Sequence, residues 1–271
     1  MSLKLKHISF PLKELKVIQS NIEEAMIMCF NNISFSTYPY ILYKITNSSD
    51  SLRQYNSGNC IALSMFIQTY LSNNYNYNCY IIPASVPSIF RVEGTNNICH
   101  VSVCIPIDKD KCFIIDPAFY FLKPMLCIYG MNKSTIESCN IHTNENEKIT
   151  YLLQDSNYNG ILPNSKECKC YFDHLPNDTW CYYLNEILNP DESIGSIYIK
   201  CKPYPFLCNT KYDNKTNKVK KKFHIKTDEN GDFIIIKDCE EIFKGNPEKM
   251  PRYIQKMIQL KLFKYFSNYI V

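Results

Sequence analysis

With 271 residues, and 30 Lys and Arg against 26 Asp and Glu for a formal net charge of +4, the chain can fill one large domain or two modest ones. Its positive charge is too small and too dispersed for a dedicated nucleic-acid surface. Hydrophobic residues at 45% and charged residues at 21% exclude a disordered chain and fit a soluble globular fold.

Fourteen cysteines are scattered rather than framed, below the density of a disulfide scaffold. Met1 to Phe10 alternates lysines with apolar residues and lacks the apolar stretch of a signal peptide. Nothing approaches the roughly 18 apolar residues of a membrane span. The expectation is a cytoplasmic protein with reduced thiols and no nucleic-acid or membrane partner. The abundance of Asn, Lys, Ile and Tyr reads as AT-rich coding rather than as binding surface.

In chain order, Pro11 opens a helix on which Leu15, Ile18, Ile22, Ala25, Met26 and Cys29 share one face. Asn31 to Asp50 reads as a polar, Tyr-rich connection. A second helix follows Gly58-Asn59, with Leu63, Phe66, Ile67, Tyr70 and Leu71 at buried-stripe spacing, and ends at Ser72-Asn73-Asn74. Cys79 to Ile82 is a short strand closed by Pro83. Ile98 to Ile107 and Lys111 to Ile115 form a hairpin around Asp108-Lys109-Asp110. Residues 130 to 180 are ambiguous, with a possible helix near Lys148 to Gln154. Lys222 to Lys226 and Phe233 to Lys237 flank Asn230-Gly231 as a further hairpin, and a helix runs from Pro251 to about Phe266. Helices, then strands, then a mixed tail predict an α+β fold built as one unit over 1–271. Its parts are a helical 1–75, a mainly strand 76–165 and a mixed 166–271.

The chemistry gathers on three residues. Cys60 stands in the first turn of its helix, where unpaired N–H groups and the helix dipole favour a thiolate and can receive an oxyanion. His100 interrupts an apolar strand, and Asp116 ends another, where a carboxylate is costly unless hydrogen-bonded. If Asp108 to Asp110 is a three-residue loop pairing Ile107 with Lys111, Ser102 faces Asp116 and Ala118 faces His100. His100 and Asp116 are then diagonal neighbours on one face. In that arrangement Asp116 orients the imidazole, His100 moves the proton, and Cys60 attacks and carries an acyl group.

Ser57-Gly58-Asn59-Cys60 resembles the Gly-x-Cys helix start of papain-fold cysteine enzymes. The order Cys60, His100-Val101-Ser102-Val103, Ile115-Asp116-Pro117 resembles the transglutaminase-like branch. The spacing is also similar to arylamine N-acetyltransferases, although these usually carry Arg-Gly-Gly before the cysteine, where this chain has Asn56-Ser57-Gly58. The resemblance covers about residues 55 to 121. It implies a papain-like core, with the nucleophile helix packed on an antiparallel sheet that bears His and Asp. It also points to Gln54, six residues before Cys60, as an oxyanion-donor candidate, with Asn56 and Tyr55 as rivals.

The leading expectation is a thiol hydrolase or transferase acting on peptide or protein amides, with no cofactor. The alternative is acetyl transfer with acetyl-CoA as co-substrate, and a third reading is a binding protein that keeps the fold without turnover. Cys168, Cys170, His174 and Cys181 match no common zinc spacing, so no metal is expected. The Lys215 to Lys226 run reads as a solvated hairpin or loop.

Overall fold

A computed structural model describes residues 12–41, 43–91, 98–140, 145–156, 166–184, 187–188, 206–228 and 230–263. Its N-terminal half holds four helices, α1 (Leu12–Asn32), α2 (Tyr38–Ile41), α3 (Ser48–Tyr55) and α4 (Cys60–Tyr75). Two of them, α1 and α4, build the core. On α1, Leu15, Ile18, Ile22, Ala25, Met26 and Cys29 are buried along one face, as their spacing predicts. On α4 burial extends around the helix, from Cys60 through Ile61, Ala62, Leu63 and Ser64. It therefore runs through the interior, and Asn76 in a left-handed conformation ends it.

The described strands form two sheets. The larger contains β3 (Tyr80–Ser85), β4 (Ile98–Asp108), β5 (Lys111–Ile115), β6 (Met125–Ile128), β7 (Ser134–Asn140), β8 (Glu145–Asp155), β9 (Lys166–Phe172) and β10 (Thr179–Tyr183). Their order is β6-β5-β4-β3-β10-β9-β8-β7, antiparallel throughout. This sheet curls until its edges approach. Phe121, just beyond β5, bridges to Ser138 on β7, and Tyr151 on β8 donates to the Leu126 carbonyl on β6 at 3.3 Å. The smaller sheet has the order β14-β13-β12-β11-β1-β2. Its members are β1 (Ser34–Ser36), β2 (Ser57–Gly58), β11 (Leu207–Asp213), β12 (Lys218–Thr227), β13 (Phe233–Lys237) and β14 (Glu240–Gly245). Because β1 pairs with β11 through Phe35–Cys208, the N-terminal and C-terminal parts of the chain share one sheet. A second core forms under helix α5 (Arg252–Phe263), where Ile254 and Met250 meet Phe223, Ile225 and Ile235. No helix among the described residues is long and apolar enough to cross a membrane.

Several expectations need correction. The possible helix at Lys148–Gln154 is strand β8, because Ile149, Tyr151 and Leu153 alternate into the core at the two-residue period of a strand. Asn31–Asp50 is not a plain connection: it holds β1, α2 and the start of α3. Pro83 does not close β3, whose ladder to β4 continues through Ala84–His100. On its other flank β3 meets β10 through Tyr182–Ala84, and a short ladder there spares the N–H that proline lacks. Of the two forms expected for the Lys215 to Lys226 run, the hairpin is the one found: β11 and β12 pair through Asp213–Lys218, with Lys218, Lys220, Lys221 and Lys222 on β12. The segments at 92–97 and 264–271, with part of the proposed loop and the end of the last helix, lie outside the described residues.

The hairpin that carries the site is the most informative element. Its turn is the two-residue Lys109-Asp110, not a three-residue loop, and a bulge falls between Pro106 and Asp108. The bulge supplies the residue that the shorter turn removes. The register through Val103–Ile115 and Cys104–Ile114 is consequently the one that sets Ser102 opposite Asp116, and the Ser102 hydroxyl donates to the Ile115 carbonyl at 2.6 Å.

Candidate active site

The turn Ser57–Asn59 has to bring β2 hard against the start of α4. A Cβ on Gly58 would lie 2.5 Å from Ala62 Cβ and 2.6 Å from the Tyr40 hydroxyl, so no larger residue fits without displacing α4. Asn59 then caps the helix. Its Oδ1 accepts from the N–H groups of Ile61 at 3.0 Å and Ala62 at 3.3 Å, and its carbonyl accepts from Leu63 N–H, a cap of the kind that contributes about 1 kcal/mol. These bonds occupy the first-turn donors after Cys60. Among the described residues no hydrogen bond outside the helix takes up the Cys60 N–H, the first-turn donor beside the thiol.

Cys60 is 2% exposed and clusters with Ile61, Ile81 and Val101, with Phe35, Met65, Ala118 and Leu188 packed around them. Its thiol lies near enough to the His100 ring to help raise the imidazole pKa. The opposite side of that ring meets Asp116, with Nε2 2.6 Å from Oδ2. Nε2 being engaged there, Nδ1 is the ring nitrogen that remains for proton transfer. Asp116 is fully buried, and four donors sustain it. Oδ2 also accepts from the Tyr182 hydroxyl at 2.8 Å, while Oδ1 accepts from the N–H groups of Ala118 at 3.0 Å and Phe119 at 3.1 Å. Burial by itself would pull the His100 pKa down. The Asp116 charge and hydrogen bond, together with the Cys60 contact, outweigh it and push the imidazole up to about 10. The site is therefore built to hold a charged imidazolium next to a sulfur.

An aromatic path leads from the imidazole outwards. Phe119 meets the His100 ring edge-on at 5.0 Å, stacks on Trp180 at 5.4 Å and touches Phe90 at 5.8 Å. Phe90 is itself exposed.

The three residues singled out in the sequence thus converge. Gln54 does not join them: it stands half-buried in the last turn of α3, and no hydrogen bond among the described residues ties it to Cys60 or Asn59. The zinc-type residues also part company. Cys168 and Cys170 are buried in β9, whereas the His174 side chain is largely exposed, 3.9 Å from Glu147. Sequence reasoning missed Tyr182, which reads as an ordinary core aromatic, and the Tyr40–Ser48–Asn59 network beneath the helix start. Asn59 carried a signal, since Asn just before a helix is a cap.

No family model matches the chain, and no curated protein matches it in sequence. Solved structures do. An arylamine N-acetyltransferase from Bacillus anthracis superposes with a TM-score of 0.57 at 13% identity, over 97% of this chain and 94% of that one. One from Bacillus cereus, described as having a unique Cys-His-Glu catalytic triad, gives 0.56 at 12% identity over 91% and 90%. That from Salmonella typhimurium gives 0.53 at 11% identity over 89% and 81%. At such identities the likeness establishes a shared mixed helix-and-sheet fold spanning nearly the whole chain.

Proposed function

We propose that the chain is a cysteine-dependent acyltransferase that carries a small acyl group on Cys60, taken from a thioester such as acetyl-CoA and passed to an arylamine. One observation carries the reading: the His100 ring is held between Asp116, at 2.6 Å, and the Cys60 thiol at a helix start.

The chemistry follows from that geometry. His100 Nδ1 takes the Cys60 proton, and the thiolate attacks the thioester carbonyl carbon. The developing oxyanion meets the Cys60 N–H. The carbon–sulfur bond to the donor breaks, its thiolate leaves with the proton from His100, and an acyl-Cys60 thioester remains. An amine then attacks, His100 accepts its proton, and Cys60 is released as the leaving group. The Phe119–Phe90 path offers an aromatic acceptor a stacking surface beside the imidazole. The likeness to the acetyltransferase structures supports the same reading.

A peptide-amide substrate has less support. An extended backbone needs an open trench, whereas Cys60 is 2% exposed under Phe35, Met65, Ala118 and Leu188. A binding protein that merely retains the fold has no use for an imidazole turned onto a thiol and braced by a buried carboxylate.

Incubation with acetyl-CoA followed by peptide mass spectrometry tests the proposal. One acetyl group is expected on Cys60 in the wild type, discharged by an added arylamine and missing in Cys60→Ser. An unlabelled Cys60 in a folded protein that cleaves peptide amides would sink it.

A further inference from the structure

The cap of α4 has a feature that helix stability does not explain. Asn59 is fully buried. Its Oδ1 accepts three hydrogen bonds, from Ile61 N–H, Ala62 N–H and the Ser48 hydroxyl at 3.0 Å. Its own N–H donates to the Tyr40 hydroxyl at 3.2 Å, which lies 2.9 Å from Ser48 Oγ. Every group that meets the Asn59 oxygen is a donor, and a carboxylate would receive them as well. A carboxylate would also complement the positive end of the helix. The amide nitrogen, by contrast, is buried with no acceptor among the described residues, an arrangement that costs free energy. Local stability therefore gives no reason to prefer Asn here over Asp.

We propose that Asn59 is a positioning residue for the acyl-transfer site: it fixes the start of α4 with a neutral oxygen and so keeps negative charge away from the adjacent Cys60 thiolate. The inference rests on the assignment of Cys60 as the nucleophile. A carboxylate next to a thiolate would oppose its formation, and the low-polarity surroundings of both would magnify the effect.

The surroundings keep to the same rule. Among the described residues, the titratable groups that interact with Cys60 are His100 on β4, with Asp116 and Tyr182 behind it, and Tyr40 on α2. From β3 and β4 come the apolar Ile81 and Val101. The α3 carboxylate Asp50 lies at the start of that helix, paired with Arg53 at 2.5 Å. The negative charge of Asp116 reaches the sulfur through an imidazole that answers it. A charge at position 59 would have no such intermediary.

The test is the pH dependence of Cys60 alkylation by iodoacetamide in the full chain. Peptide mass spectrometry would follow wild type, Asn59→Asp, Asn59→Ser and Asn59→Ala, with thermal unfolding of each variant to establish that it is folded. Asn59→Asp should raise the half-point of reactivity by about 1 to 2 pH units, so that alkylation near pH 6 falls about 10- to 100-fold. Asn59→Ser, a neutral cap, should keep the wild-type half-point. Asn59→Ala should leave it unchanged or lower it.

A folded Asn59→Asp with the wild-type profile overturns the inference, as does Asn59→Ser shifting as far as Asn59→Asp. Should Asn59→Asp fail to fold, the neutral variants still decide: an upward shift in either one overturns it. If wild-type Cys60 has no reactive form below the ordinary thiol range, the nucleophile assignment itself falls and takes the role of Asn59 with it. That outcome is separable from an Asn59→Asp that merely matches a reactive wild type.

Discussion

A cluster of buried cysteines in the larger sheet and the single buried Cys60 differ in what surrounds their thiols. Inside the curled sheet Cys127 Sγ lies 3.5 Å from Cys168 Sγ, Cys168 lies 3.8 Å from Cys170, and Cys170 meets Met125 at 3.9 Å. Cys112 stands opposite Cys127 across the β5–β6 ladder. These thiols touch mostly one another and apolar side chains. Burial raises Cys168 and Cys170, and elsewhere pushes Cys79 and Cys181 up to about 12. Cys60 is buried to a similar degree, but it stands at a helix start against an imidazole that a carboxylate braces. Burial makes a thiol inert; a charge partner and a helix dipole make one usable.

The sharpest way to break this contrast is alkylation of the native protein below neutral pH. Cys60 should react, while Cys127, Cys168 and Cys170 should react after unfolding. His100→Ala should slow Cys60 by about 100-fold or more. Peptide mass spectrometry reads both, and thiols of the sheet cluster that react as fast as Cys60 would erase the distinction.

A smaller effect concerns stability. His100 has a folded pKa of about 10 against roughly 6.5 for an unperturbed histidine. A raised pKa contributes stability that is fully present below the unfolded value and is lost as pH rises through the folded value. Between about pH 6.5 and pH 10 the melting temperature of the wild type should decline. The decline should flatten in Asp116→Asn, which removes the charge that holds the proton. Parallel thermal melts across that window decide it.

The smallest effect comes from Tyr182→Phe. It deletes one of four hydrogen bonds to Asp116, worth about 1 kcal/mol, so Cys60 alkylation should slow several-fold. A loss as large as that of His100→Ala would mean that the tyrosine does more than brace the carboxylate.

Legibility in the sequence followed the range of the interactions. Cys60 could be read because a helix start is local, with Gly58 and Asn59 immediately before it. His100 and Asp116 could be paired because they lie sixteen residues apart on one hairpin. Even there the expected turn was wrong and the register right, since a bulge at Ile107 made up for the shorter turn. Gln54 rested on an interval carried over from other enzymes, and the fold leaves it half-buried on α3.

The sequence by itself determined the buried faces of α1 and α4, the strand-rich middle and the three residues of the candidate triad. Each depends on side-chain period, capping or hairpin register, which act over a few residues. Tertiary structure alone decided that Tyr182, 66 residues beyond Asp116, would reach its carboxylate. It also decided that Tyr40 and Ser48 would close around Asn59, and that β1 would pair with β11. Those contacts join ordinary residues far apart in the chain. Packing places them, and no local pattern in the sequence marks them.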